Sequence, residues 1–209
     1  MTEVPLKIST AKSRLVLEQP FFASLVCNLP LIEDDSLSPP TMATNGKWIK
    51  YHPRFVADHD VPELVFTLCH EVGHCMFMHM FRRKHRDPKK WNLAGDYVIN
   101  DMLVSEKIGR MPKGAFHDPA LVLAGKGTAE GVFDLLPDDD GSQDQFDTCE
   151  DAEGTEAEMA QAEAEMRVAV AQAAAAARAC GKLGKSLERF VNEALRPKVD
   201  WRAVMRRFV

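Results

Sequence analysis

No run of apolar residues in this chain is long enough to span a bilayer. The first ten residues, MTEVPLKIST, lack the apolar centre of a secretory signal. The most apolar stretch, Phe66 to Phe81, is interrupted by histidines and by Glu71, which suits a buried helix rather than a membrane one. Cysteine is scarce and odd in number. Cys27, Cys69, Cys75, Cys149 and Cys180 form no Cys-x-x-Cys pair, which argues against a disulfide framework or zinc ribbon. A reducing compartment, the cytoplasm, fits better. Basic residues are missing from a whole segment: between Lys126 and Arg167 there is no Lys or Arg but fourteen Asp and Glu. The rest of the chain then holds 17 acids against 26 bases, about +9, although the formal net charge is −5.

What is present describes a soluble globular protein. The 209 residues are 45% hydrophobic and 27% charged, enough for one domain of ordinary size with an appendage. The basic cluster RRKHRDPKK, Arg82 to Lys90, comes with no nucleic-acid recognition motif and no aromatic platform. It reads as the solvated end of a helix, where cations suit the negative end of the macrodipole. The sequence GKLGKS has Ala179 where a phosphate-binding loop requires glycine, and an Ala-rich helix instead of a strand before it.

Periodicity and breakers predict a helix over Thr10–Leu29, interrupted or kinked near Pro20, then a proline-rich loop. Two short extended runs around Asn45-Gly46 predict a tight hairpin. A short helix over Pro53–His59 follows, and Asp60 with Pro62 opens a long helix. Asp87-Pro88 breaks it, and another helix runs from about Trp91 to Lys107. Further helices are expected over Ala129–Leu136, Glu156–Ala179, Lys185–Leu195 and Asp200–Phe208.

The chemistry concentrates in TLCHEVGHCMFMH, Thr67 to His79. His70 and His74 are four apart on a helix and project side by side, so both imidazoles reach one tetrahedral metal ion. Glu71 is turned by about 100° from His70, where its carboxylate takes a proton from a water acidified by zinc. The competing reading is three polar residues buried on a core helix, which is costly unless something satisfies them. His79 is nine residues beyond His70, about 180° around a continuous helix, and no glycine follows the motif to turn the chain back. It is therefore expected to point away from the metal, as a packing or hydrogen-bonding residue. Cys69 and Cys75 read as small packing residues, with a thiolate ligand as the alternative.

A third ligand is better sought in WNLAGDYVIND, where Asn92, Asp96 and Asn100 form one polar stripe at intervals of four. Asp96 at its centre is the candidate, with water in an open fourth position. The alternative is that this stripe braces the adjacent loop. Asp101, on another side of the helix, is a weaker candidate.

With TMATNGKWIKYHPRFV, HEVGHCMFMH, WNLAGDYVIND and AEGVFDLL in this order, the chain resembles the metallopeptidase domain of predicted bacterial and phage metal-dependent peptidases. That domain is zincin-like and is normally followed by a von Willebrand A-like domain. VDWRAVMRRFV resembles the segment leading into the second domain, which is not within these residues. The resemblance places His70, Glu71 and His74 on the family's motif, Asp96 on its Asp-Tyr-x-Ile-Asn element and His79 on a recurrent histidine. It implies an α+β, mainly helical zincin-like fold with a small antiparallel β-hairpin beside the active-site helix.

On this reading residues 1–136 are the metallopeptidase domain, 137–158 an acidic flexible linker and 159–209 a helical C-terminal extension. The expected function is a zinc metallopeptidase using one Zn²⁺ held by His70, His74 and Asp96, with Glu71 as catalytic base and a protein or peptide as substrate. The alternative is a metal-stabilised module acting with a von Willebrand A-like or AAA-type ATPase partner. Two further alternatives stay open. Lys47–Tyr51 is either a substrate-binding edge strand or a cover for the core, and the acidic stretch from Asp134 to Glu165 is either a lid or a solvated linker.

Overall fold

The computed structural model describes residues 3–138, 148–149 and 154–195. The first helix, α1 (Glu3–Glu18), buries Ile8, Ala11 and Leu15, one stripe at helical spacing. Pro20 cannot continue it but suits the first turn of the next, α2 (Pro20–Asn28), which buries Phe21, Phe22, Leu25 and Val26. Of the interruption or kink expected near Pro20, the structure has the interruption, a junction between two helices.

Three strands follow: β1 (Leu31–Glu33), β2 (Met42–Thr44) and β3 (Ile49–Tyr51). β2 and β3 form the expected antiparallel hairpin, pairing Met42 with Tyr51 and Thr44 with Ile49. The turn between them takes Gly46 to a φ of 82°, a conformation glycine adopts without steric cost. β1 was not legible in advance. It lies parallel to β3, so β3 is flanked on both sides and is not an edge. The substrate-edge alternative for Lys47–Tyr51 is therefore corrected: Ile49 and Tyr51 face the core.

Helix α3 (Pro53–Asp58) leads to Asp60, whose carboxylate accepts from the backbone N–H of Glu63 while the Glu63 carboxylate accepts from that of Asp60. This capping box opens α4 (Val61–Met76), which carries the histidine pair and is buried continuously from Leu64 to Met76. A single turn, α5 (His79–Arg82), follows, and α6 (Pro88–Ser105) starts behind the Asp87 cap. Two short helices, α7 (Pro119–Ala124) and α8 (Ala129–Leu135), pack on α6.

The strand β4 (Thr148–Cys149) lies parallel to β2 at the far side of the sheet, giving the order β1-β3-β2-β4. Helix α9 (Glu156–Ala179) opens on a Thr155–Glu158 capping box. Its buried stripe, Met166, Val170, Ala173, Ala174 and Ala177, joins the common core against α2 and α4, and α10 (Lys185–Ala194) packs on it. The helix expected over Asp200–Phe208 lies outside the described residues. No helix among the described residues is long and apolar enough to cross a membrane.

Candidate metal centre

Helix α4 brings His70 and His74 together at its buried face, with Nε2 atoms 3.1 Å apart. Helix α6 packs close against it, with Gly73 of α4 facing Ile99 and Gly95 of α6 facing His79 just beyond α4. A Cβ on Gly73 would sit 2.8 Å from Ile99 Cγ2, and one on Gly95 would sit 2.6 Å from His79 Nδ1. This approach carries Asp96 to the histidines. Its Oδ1 lies 3.5 Å from His70 Nε2 and 3.3 Å from His74 Nε2.

The three atoms form a triangle with sides of 3.1, 3.3 and 3.5 Å. Ligand atoms at ordinary metal distances in a tetrahedral site are about 3.3–3.4 Å apart. The donor set also suits a cation, since two imidazoles and a carboxylate converge where each is at most 5% exposed. Among the described residues, His70, His74 and Asp96 could therefore hold a metal ion.

The neighbours of these side chains fix which atoms they present. Asn100 Nδ2 donates to the Phe116 carbonyl at 2.8 Å, and a carbonyl can only accept. Asn100 Oδ1 therefore faces His70 Nδ1, 2.7 Å away, and makes that nitrogen the protonated one. His70 Nε2 is left with its lone pair toward the triangle. On the other side, the backbone N–H of Cys149 donates to Asn92 Oδ1 at 2.8 Å, turning Asn92 Nδ2 to Asp96 Oδ2 at 3.3 Å. Asp96 Oδ1 is thereby left for the triangle. The stripe expected from sequence is real: its two asparagines hold the His70 and Asp96 side chains, and Asn100 also ties the loop at Phe116. The contribution of β4 through the Cys149 amide had no sequence signal.

His79 is the main correction. It does not sit on the opposite side of a continuous helix, because α4 ends at Met76 and Met78 takes a left-handed conformation, φ 58°. The chain turns back without a glycine, and His79 Nδ1 comes to 3.1 Å from His74 Nδ1. The ring of Phe77 stacks on His79 at 5.5 Å between centroids, and Trp91 Nε1 donates to the His79 carbonyl at 3.1 Å. The sequence signal that could have revealed this was Gly95, whose missing side chain leaves room for the His79 ring.

Glu71 is fully buried on the same helix. Cys69 and Cys75 are also fully buried and stand outside the ligand group. Burial, chiefly, pushes the Cys75 thiol up to about 12, and its Sγ donates to the Glu71 carbonyl at 3.6 Å, so it packs as a neutral thiol. Asp101 stands apart from the triangle and pairs with His117 at 3.3 Å. Burial and, secondarily, the Asp118 and Asp96 carboxylates raise the Tyr97 phenol above its ordinary value.

Much of the basic cluster is used internally. Arg82 pairs with Glu130 and donates to the Phe77 carbonyl at 2.7 Å, bracing the turn before His79. The Arg86 guanidinium stands 5.0 Å over the Trp91 ring, and Lys90 Nζ 4.6 Å over Phe133.

A family model described as "Putative metallopeptidase domain" matches residues 3–130 and 137–209 of the chain. No curated protein and no solved structure matches it.

Proposed function

Because the chain belongs to that family of metallopeptidase domains, we propose that it is a zinc-dependent peptidase acting on a protein or peptide substrate. One Zn²⁺ is held by His70, His74 and Asp96. Among the described residues three protein groups would hold it, which suits a catalytic zinc better than a closed structural one with four. The ion, when bound, supplies the Lewis acidity that acidifies a water and polarises a peptide carbonyl.

The residues of the chain do the rest. Glu71 takes the proton of the attacking water and delivers it to the departing amine. Asn100 holds the His70 ring and Asn92 the Asp96 carboxylate, so neither ligand has to reorganise when the charge develops. The buried walls contributed by α4 and α6 keep bulk water from screening these interactions.

The observation that carries the reading is the triangle of 3.1, 3.3 and 3.5 Å between two imidazole nitrogens and a carboxylate oxygen. Its test is digestion of a mixed peptide library by the zinc-loaded protein and by Glu71→Gln. The wild type should cleave and lose activity on chelation. The variant should keep zinc but cleave ~10²–10⁴-fold more slowly. Equal cleavage by the two proteins, or cleavage indifferent to chelation, would reject it.

A further inference from the structure

We propose that His79 is a positioning residue that holds His74 with its proton on Nδ1, so that the Nε2 lone pair faces His70 and Asp96. The inference rests on the metal-ligand reading of His74, and adds to it a residue that binds no metal itself.

Two of the three ligands have an asparagine as their orienting partner, and each asparagine is fixed by a backbone group. His74 has His79 in the corresponding place, Nδ1 to Nδ1 at 3.1 Å. Two imidazole nitrogens at that distance share one proton. Either His74 donates and His79 accepts, or the reverse. If His79 donated, His74 would carry its own proton on Nε2, 3.1 Å from His70 Nε2 and 3.3 Å from Asp96 Oδ1. A protonated Nε2 cannot ligate a cation. The arrangement that serves a metal is therefore His74 Nδ1–H donating to His79 Nδ1, with the His79 proton on its own Nε2.

Several features hold His79 to this task. Its ring is 2% exposed, stacked by Phe77 at 5.5 Å and flanked edge-on by Trp91 at 5.7 Å. The Trp91 indole anchors its carbonyl, and Gly95 leaves the space into which the ring projects. The left-handed Met78 and the Arg82 bond to the Phe77 carbonyl shape the turn that delivers it. A residue needed only to fill the core would not require this turn and this glycine together.

The test compares His79→Asn with His79→Leu. The two side chains are alike in size and shape, but only asparagine offers an acceptor near the position of Nδ1. Zinc affinity would be measured by competition with a chromophoric chelator, and folding by the melting temperature of the metal-free proteins. The leucine variant should bind zinc ~10–100-fold more weakly than wild type, and the asparagine variant within a few-fold of it. In the zinc-loaded wild type, nitrogen-resolved NMR should show the His74 Nδ1 proton coupled across the hydrogen bond to His79 Nδ1. That readout also decides the matter should the leucine variant fail to fold.

Equal zinc affinity of leucine variant and wild type would overturn the proposal, as would absence of the coupled proton. Complete loss of zinc in both variants would make His79 a ligand and overturn it too. A wild type that binds no zinc would instead remove the metal reading, and this inference with it.

Discussion

The Nδ1 of His70 on α4 lies 2.7 Å from Oδ1 of Asn100 on α6, thirty residues away in sequence. Asn100 reaches in the other direction to the Phe116 carbonyl, so a single side chain joins His70 to the loop beyond α6. Asn100→Leu keeps the volume and removes both bonds. Zinc affinity should fall by ~10–100-fold, as for other partners that orient metal ligands. The metal-free protein should lose about 1–3 kcal/mol, because buried polar groups forfeit their partner. Chelator competition and denaturant unfolding measure the two effects separately.

At an ordinary helix position, replacing glycine by alanine stabilises by about 1 kcal/mol. Gly95 should behave in the opposite sense, since the added Cβ would meet His79 Nδ1 at 2.6 Å and Cε1 at 2.9 Å. Gly95→Ala is expected to cost about 1–3 kcal/mol by overpacking. In a His79→Ala background the cost should disappear, leaving the usual gain. A double-mutant cycle by thermal unfolding reads the coupling.

The start of α4 depends on the charge of Asp60. Its carboxyl is held below the ordinary value of 3.8, first by the backbone N–H of Glu63, with Arg110 and the nearby His59 adding to the effect. Because the folded-state value is depressed, the stabilisation is present above the unfolded value and is lost as pH falls through the folded one. Asp60→Ala should therefore melt below wild type at neutral pH. The gap between their melting temperatures should close on acidification below that ordinary value of 3.8. A gap that stays constant to the lowest pH would remove the charged cap from the account.

The parts of this protein that were legible in the sequence are those with a local physical cause. Asp60, Pro20, Asp87-Pro88 and Asn45-Gly46 mark boundaries because caps, proline geometry and tight turns depend on few neighbours. The convergence of His70, His74 and Asp96 was legible because spacing by four defines a face on each helix. β1 was not, since three residues pairing in parallel with a strand eighteen residues later leave no periodic mark. The turn at Met78 was missed because a left-handed methionine is set by tertiary packing, here the Arg82 bond to Phe77 and the room at Gly95. The same is true of Cys149, which acts on Asn92 through its backbone and so has no side-chain signature.

We propose that Asp96, and not His79, completes the ligand set with His70 and His74. This assignment is tested most directly by zinc content per chain after loading and desalting wild type and Asp96→Ala side by side. The wild type should retain one ion per chain. The variant loses a buried carboxylate ligand and should retain almost none while its metal-free form stays folded. A variant that holds zinc as fully as the wild type would contradict the assignment.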